Sequence, residues 1–209
     1  MLILYTAEIC PFAQRPRALL THLGAPFEER TVDLAQRDPA FLGISPTGLV
    51  PLLLDGDLKL YESQVIIEYL ADRLGWKHAF SADTRTRARQ KLAMKQWDGT
   101  VAPAWYRSIK ERSSLDDRVR QRVEREIDEL AGTVRVMGGA VENLLAFHCA
   151  PFWARMSWLR GHSPLPEWVE ARPALREWLD RTVSLPAVRK TLPDREAAIH
   201  AYLQGSPQR

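Results

Sequence analysis

Cysteine is scarce: Cys10 and Cys149 are the two in a chain of 209 residues. Two cysteines cannot build a disulfide framework, and so low a count suits a reducing compartment. Long apolar runs are missing as well. The most apolar region, Leu144 to Leu159, is broken by His148, Pro151 and Arg155, which leaves it too short and too polar to span a bilayer. No basic segment leads into an apolar stretch at the N-terminus, so no signal peptide is read there and a cytoplasmic protein is expected. Charge of one sign is also lacking. The 29 Lys and Arg face 26 Asp and Glu, for a net charge of +3, and the signs interleave, as in Glu124-Arg125-Glu126. The densest basic run, Arg85 to Lys91, reads as the solvated face of a helix. With no zinc-finger spacing and no RNA-binding aromatic motif beside it, no nucleic-acid partner is expected. His22, His78, His148, His162 and His200 show no metal-ligand spacing, so no metal is expected. A nucleotide-binding glycine loop is absent.

What is present is material for a core. Apolar residues make up 45% of the chain and charged residues 26%, ordinary values for a globular protein of one large or two small domains. Five of the seven Trp (Trp97, Trp105, Trp153, Trp158, Trp168) fall between residues 97 and 168. That clustering points to a helical second part with an aromatic core or an aromatic-lined surface.

The first part alternates strand and helix signals. Leu2 to Tyr5 reads as a strand, and Pro11 to Leu23 as a helix closed by Gly24. Phe27 to Val32 reads as a second strand, and Ala35 to Leu42 as a short helix ending at Gly43. Val50 to Leu54 and Leu58 to Leu60 form a hairpin about Asp55-Gly56-Asp57. Glu62-Ser63 opens an amphipathic helix with Val65, Ile66, Tyr69, Leu70 and Leu74 on one side. This βαβ, helix, ββα pattern accounts for residues 1–76 as a small α/β domain. After a linker near Lys77 to Ala82, strand signals vanish, and residues 83–209 read as all-helical. Asp83 caps a long helix through about Arg112, bent near Pro103. Val119, Val123, Ile127, Leu130 and Val134 mark the packed face of a second helix. Gly138-Gly139 breaks the chain, Asn143 caps a third helix, and Pro173 to Thr182 forms a fourth. Ser184 to Leu192 and Glu196 to Leu203 suggest two shorter helices, and Gly205 to Arg209 is expected to fray.

Cys10 carries the chemistry of the first part. It stands where the first strand hands over to the first helix, with Pro11 suited to the first helical position. Unpaired N–H groups and the positive end of the helix dipole favour thiolate over thiol there, and the thiolate is the reactive form. An inert cysteine packed like a small hydrophobe fits the spacing equally well.

Three segments, in order, resemble those of the cytosolic glutathione transferase superfamily. Ile9-Cys10-Pro11-Phe12-Ala13-Gln14-Arg15 is similar to the active-site segment of its omega-like, cysteine-using class. Ser45-Pro46-Thr47-Gly48-Leu49-Val50-Pro51 resembles the loop leading into the family's cis-proline. Tyr61-Glu62-Ser63 and the following helix resemble its glutathione-gripping acid–serine pair. The implied fold is an α/β thioredoxin-like N-terminal domain plus an all-α C-terminal domain.

The resemblance implies glutathione as co-substrate and Cys10 as the residue that forms a mixed disulfide with it. Val50, before Pro51, would pair with the cysteinyl backbone of glutathione. Ser63 would bind the γ-glutamyl carboxylate, and Glu62 the α-ammonium. Phe12, Leu34, Arg37 and Leu49 would line the same groove. On their own, Ser63 and Glu62 read as a helix cap and a first-turn acid. The implied activity is thiol transfer to a small electrophilic or disulfide substrate, with dehydroascorbate reduction open to the same cysteine. A homodimer is implied too. The competing reading is a non-catalytic ligand-binding or scaffold protein on the same fold. Tyr5 and Ser45 are rival hydroxyls, with Tyr5 read as packing. Trp97, Trp105 and Tyr106 read equally as core or as wall of a second-substrate pocket.

Two departures stand out. Ala13 leaves no Cys-x-x-Cys pair, so a second thiol must resolve any mixed disulfide. Asn143-Leu144-Leu145-Ala146 keeps a cap but loses the returning bond of a capping box, which puts the start of that helix in doubt.

Overall fold

The computed structural model describes residues 1–111 and 115–205. Its contacts define two compact units. One is Met1–Lys77 together with the chain from Leu185 onward, and the other is His78–Ser184. The sequence had suggested that 83–209 stay together; instead the last two helices fold with the first unit.

The first unit is built on a four-stranded sheet in the order β2-β1-β3-β4. The strands are β1 (Leu2–Thr6), β2 (Phe27–Thr31), β3 (Leu52–Asp55) and β4 (Leu58–Leu60). β1 runs parallel to β2 and antiparallel to β3, and β4 is antiparallel to β3. β2 is an edge strand, and its sequence, Phe-Glu-Glu-Arg-Thr, puts charge where an unpaired edge needs it. Helix α1 (Pro11–His22) packs on α3 (Ser63–Arg73). The buried face of α3 is Ser63, Ile66, Ile67, Leu70 and Ala71, at helical spacing. Val65, expected on that face, is exposed, and Ile67 takes its place.

Helix α2 (Pro39–Ile44) begins later than expected. Asp33 accepts the N–H groups of Ala35 and Gln36, holding that stretch as a turn. Asp38 then caps the helix by accepting from Ala40 N, ahead of Pro39's fixed φ. Gly43 lies inside α2 and does not end it. Helices α10 (Pro186–Lys190) and α11 (Arg195–Leu203) complete the unit. Polar side chains buried on α1 hold them. Gln14 Nε2 donates to Val188 O at 3.3 Å and to Thr191 Oγ1 at 3.2 Å, and Arg17 Nη2 donates to Thr191 O. Of the tail expected to fray, residues 206–209 lie outside the described residues.

The second unit contains α4 (Thr84–Gln96), α5 (Ala102–Glu111), α6 (Asp117–Val136), α7 (Leu144–Trp158), α8 (Leu165–Glu170) and α9 (Pro173–Val183). Asp83 caps α4 by accepting from Thr86 N. The bend expected near Pro103 is a wide π-helical turn at Trp97–Val101, where Ala102 N donates five residues back to Trp97 O. Pro103 cannot donate to the preceding turn, and the widened turn upstream absorbs that loss. The expected end of this helical stretch at Arg112 lies outside the described residues. Helix α8 lies between the third and fourth helices read from the sequence and was not expected.

The apolar segment at 144–159 becomes the central helix, α7, buried on every side from Leu144 to Met156. Phe152 of α7 meets Trp97, Trp105 and Tyr106 edge to face. Trp97 and Trp105 are core residues. The doubted start of α7 is held twice: Asn143 Oδ1 accepts from Ala146 N at 3.1 Å, and Asn143 Nδ2 donates to Ala140 O at 2.8 Å. Leu144 N donates to Ala79 O at 2.9 Å, giving another first-turn N–H a partner. Among the described residues no helix is long and apolar enough to cross a membrane.

Candidate functional site

Strand register brings the predicted residues to one edge of the sheet. Tyr5 pairs with Leu52 and Thr6 with Thr31, so the exit of β1 lies beside the entry of β3 and the exit of β2. Leu53 pairs with Leu60, which returns the end of β4 to that same edge. Cys10, Leu34 and Arg37, Leu49-Val50-Pro51, and Glu62-Ser63 therefore leave the sheet from a common end. The Val50–Pro51 peptide bond is cis.

Cys10 is the N-cap of α1, with φ −77° and ψ 115°, and Pro11 follows as the first helical residue. Its N–H donates to Ala7 O, and its carbonyl accepts from Gln14 N, each at 3.1 Å. One residue earlier, Ile9 O accepts from the hydroxyl of Tyr202 on α11 at 3.0 Å. The loop is thus fixed from the helix side and from the C-terminal segment. Cys10 is also fully buried, with no solvent exposure. Neither it nor Cys149 is in a disulfide.

Ser63 is the first residue of α3, and Glu62 stands in the N-cap position without making a capping bond. The expected roles of cap and first-turn acid are therefore exchanged. Glu62 has φ +67°, the one non-glycine residue with positive φ among those described. A side chain held in that region costs about 1–3 kcal/mol and persists where its surroundings impose it, which is common at ligand sites. The Ser63 oxygen accepts from Arg15 Nη1 at 2.8 Å. Arg15 is itself fully buried, with its guanidinium 5.0 Å from the centre of the Phe12 ring. The sequence places Arg15 at the end of the Ile9–Arg15 segment and assigns it no role of its own. Its register, one helical turn beyond Phe12, is the signal that places it inside.

The other end of α3 is anchored to the sheet. Asp55 on β3 accepts from Arg73 Nε and, at 2.6 Å, from the Tyr69 hydroxyl. The hydrogen bond from Arg73, then that from Tyr69, holds the Asp55 carboxyl below its usual range, and Asp55 in turn raises Tyr69. Leu34 is buried and Arg37 half-buried in the segment after β2. Leu49 is half-buried and Val50 buried. Of the rival hydroxyls, Tyr5 accepts from Arg30 Nη1 at 2.8 Å and packs on Phe41, which spends it on β2 and α2. The Ser45 hydroxyl faces Leu49 O at 3.5 Å and closes its own loop.

The chain is similar to known proteins. Residues 4–77 match the family model for the glutathione S-transferase N-terminal domain. The glutathione S-transferase-like protein gedE of Aspergillus terreus is 30% identical over 206 residues, covering 87% of this chain and 90% of its own. The chain belongs to the cytosolic glutathione transferase superfamily and is omega-like. Glutathione S-transferase omega-1 of Sus scrofa is 26% identical, over 98% of this chain and 87% of its own. The crystal structure of glutathione transferase Omega 2C from Trametes versicolor superposes with a TM-score of 0.79 at 19% identity, covering 98% of both chains. That likeness supports the fold: a mixed four-stranded sheet with helices, followed by a helical region. These relatives are named as glutathione transferases, which supports a transferase function for this chain at the family level.

Proposed function

We propose that this transferase is a glutathione-dependent thiol transferase in which Cys10 forms a mixed disulfide with glutathione. The observation that carries the reading is the placement of a cysteine N-cap at the sheet edge that also holds Val50-Pro51 and the start of α3. Backbone N–H groups at the head of α1 favour negative charge on the Cys10 sulfur. Those at the head of α3, with Ser63, suit the γ-glutamyl carboxylate. Glu62 takes the α-ammonium, Val50 pairs with the cysteinyl backbone, and Phe12, Leu34, Arg37 and Leu49 line the remaining groove.

The cycle balances as two exchanges. The Cys10 thiolate attacks the glutathione sulfur of a glutathionylated substrate; the Cys10–glutathione disulfide forms and the substrate leaves as a thiolate that takes a proton. A second glutathione, as thiolate, attacks the glutathione sulfur of that disulfide, releasing oxidised glutathione and restoring the Cys10 thiolate. Ala13 cannot resolve the intermediate from within, so the second glutathione is obligatory. Dehydroascorbate reduction would use the same thiolate.

The burial of Cys10 favours a second reading, a non-catalytic ligand-binding protein on the same fold. Exchange requires an approaching sulfur to touch Cys10, so the wall over it must open, whereas binding alone needs no such motion. Mass spectrometry after treatment of the folded protein with oxidised glutathione separates the two. One glutathione adduct on Cys10 supports exchange. Calorimetric binding of glutathione with no adduct supports the carrier, and no binding supports a scaffold.

A homodimer is part of the proposal. Leu58, Tyr61 and Val65 expose apolar surface around β4 and the start of α3, the kind of patch that association covers. Sedimentation of the wild type against Val65→Glu tests it, with dissociation of the variant expected.

A further inference from the structure

Gly132 lies inside α6, where glycine is the poorest helix former apart from proline. A helical glycine is ordinarily explained by a positive φ or by a neighbour packed too close for a methyl group. Neither applies here. Gly132 is not among the residues with positive φ, and a Cβ on it would meet no atom of another element within 4 Å. What the missing side chain provides is depth. Asp128, Gly132 and Arg135 fall at helical spacing on one face of α6 and line a cavity of about 640 Å³ between α6 and α9. That volume is of the size small-molecule sites have.

The groove is tied across both ends and apolar between them. Asp128 Oδ1 accepts from Arg172 Nε at 2.6 Å across one end, and Gly139 O accepts from Arg181 Nη2 at 2.9 Å across the other. Leu175 and Trp178 are the buried lining residues of α9. Trp178 spends its N–H on Ala140 O at 2.9 Å, so the rest of its indole is apolar surface. The charged lining is uneven: Arg135, Arg172 and Arg181 accompany Asp128 and Glu177. Arg172 and Asp128 neutralise each other. Among the described residues Arg135, Arg181 and Glu177 form no ion pair, and the partner of Arg181 is a neutral carbonyl. Two guanidiniums therefore stand against one carboxylate.

We propose that the groove between α6 and α9 binds a small organic anion with an apolar body, seated over Gly132 with its charge toward Arg135 and Arg181. All of these residues belong to the second unit, and the site does not depend on the glutathione reading.

Fluorescence titration of the whole protein with 8-anilinonaphthalene-1-sulfonate, and with its uncharged parent N-phenyl-1-naphthylamine, tests the site without glutathione present. The sulfonate should bind the wild type saturably and more tightly than the parent. Gly132→Leu fills the groove and should weaken both about tenfold, the equivalent of roughly 50 Å² of lost apolar contact. Arg135 is exposed, so Arg135→Gln should weaken the sulfonate by about threefold and leave the parent unchanged. Adding saturating glutathione should displace neither probe.

No saturable binding to the wild type overturns the proposal, as does sulfonate binding that both variants leave unchanged. Displacement by glutathione would place the probe elsewhere and overturn it too. If Gly132→Leu does not fold, Arg135→Gln still decides, because an equal loss for both probes or no loss for either removes the charge from the site. A change in sedimentation of Gly132→Leu with unchanged probe binding would mean that a second copy of the chain covers the groove, and the proposal would fail.

Discussion

Cys10 and Cys149 are equally hidden from solvent, yet one caps α1 and the other lies inside α7. Around Cys10 the backbone leaves a sheet and opens a helix, the end where the macrodipole is positive, and a buried arginine follows at position 15. Around Cys149 the helix is buried on every side, and mid-helix N–H groups are consumed by intrahelical bonds. Burial alone therefore says little about what a cysteine is for. Position along the helix decides whether the backbone can support charge on sulfur, and the two regions divide on that point.

The largest test of this contrast removes each sulfur in turn. Cys10→Ala should reduce exchange with a glutathione mixed disulfide to the uncatalysed rate. Cys149→Ala should leave the exchange rate intact and cost about 1–2 kcal/mol of stability, read by urea unfolding, through the small cavity it opens. Equal activity in both variants would break the comparison.

The next test loosens the clamp on each region. Tyr202→Phe strips the Ile9 carbonyl of its donor next to Cys10, at a cost of about 1–2 kcal/mol. Alkylation of Cys10 by iodoacetamide in the folded protein should then speed up. Asn143→Ala removes the cap of α7 and should cost about 1 kcal/mol, without accelerating labelling of Cys149, because that sulfur lies too far along the helix to feel fraying at its start. Faster labelling of Cys149 than of Cys10 in either variant would contradict the division.

The smallest effect is a pH dependence confined to the first unit. The Asp55 carboxyl is lowered in the fold by Arg73 and Tyr69. Its contribution is therefore present above the unfolded value, about 3.9, and fades as pH falls through the folded one. Asp55→Asn should destabilise the protein by under about 1 kcal/mol at neutral pH, with the difference shrinking below about pH 4. A difference independent of pH from 3 to 7 would remove Asp55 from the acid response.

Much of the first unit was legible because its signals are local. Alternating apolar strands, Pro11 after Cys10, the Asp55-Gly56-Asp57 hairpin and Gly24 each act over a few residues. Other features depend on partners distant in sequence. Val65 looks as apolar as Ile67, and only the helix against which α3 packs decides which is buried. Gly43 looked like a stop until Asp38 and Pro39 were seen to start α2 later. Asn143 looked like half a cap because its second bond, to Ala140 O, and the Ala79 carbonyl over Leu144 N come from outside the motif.

By itself the sequence determined the order of elements, the family and the residue types available at the sheet edge, since periodicity, turn chemistry and motif spacing are properties of neighbours along the chain. Tertiary structure alone decided that Cys10 is covered, that Arg15 stands inside behind Ser63, and that α10 and α11 return to hold α1. Each of those outcomes depends on which distant groups exclude water from a side chain and satisfy its hydrogen bonds, and spacing along a chain does not encode that.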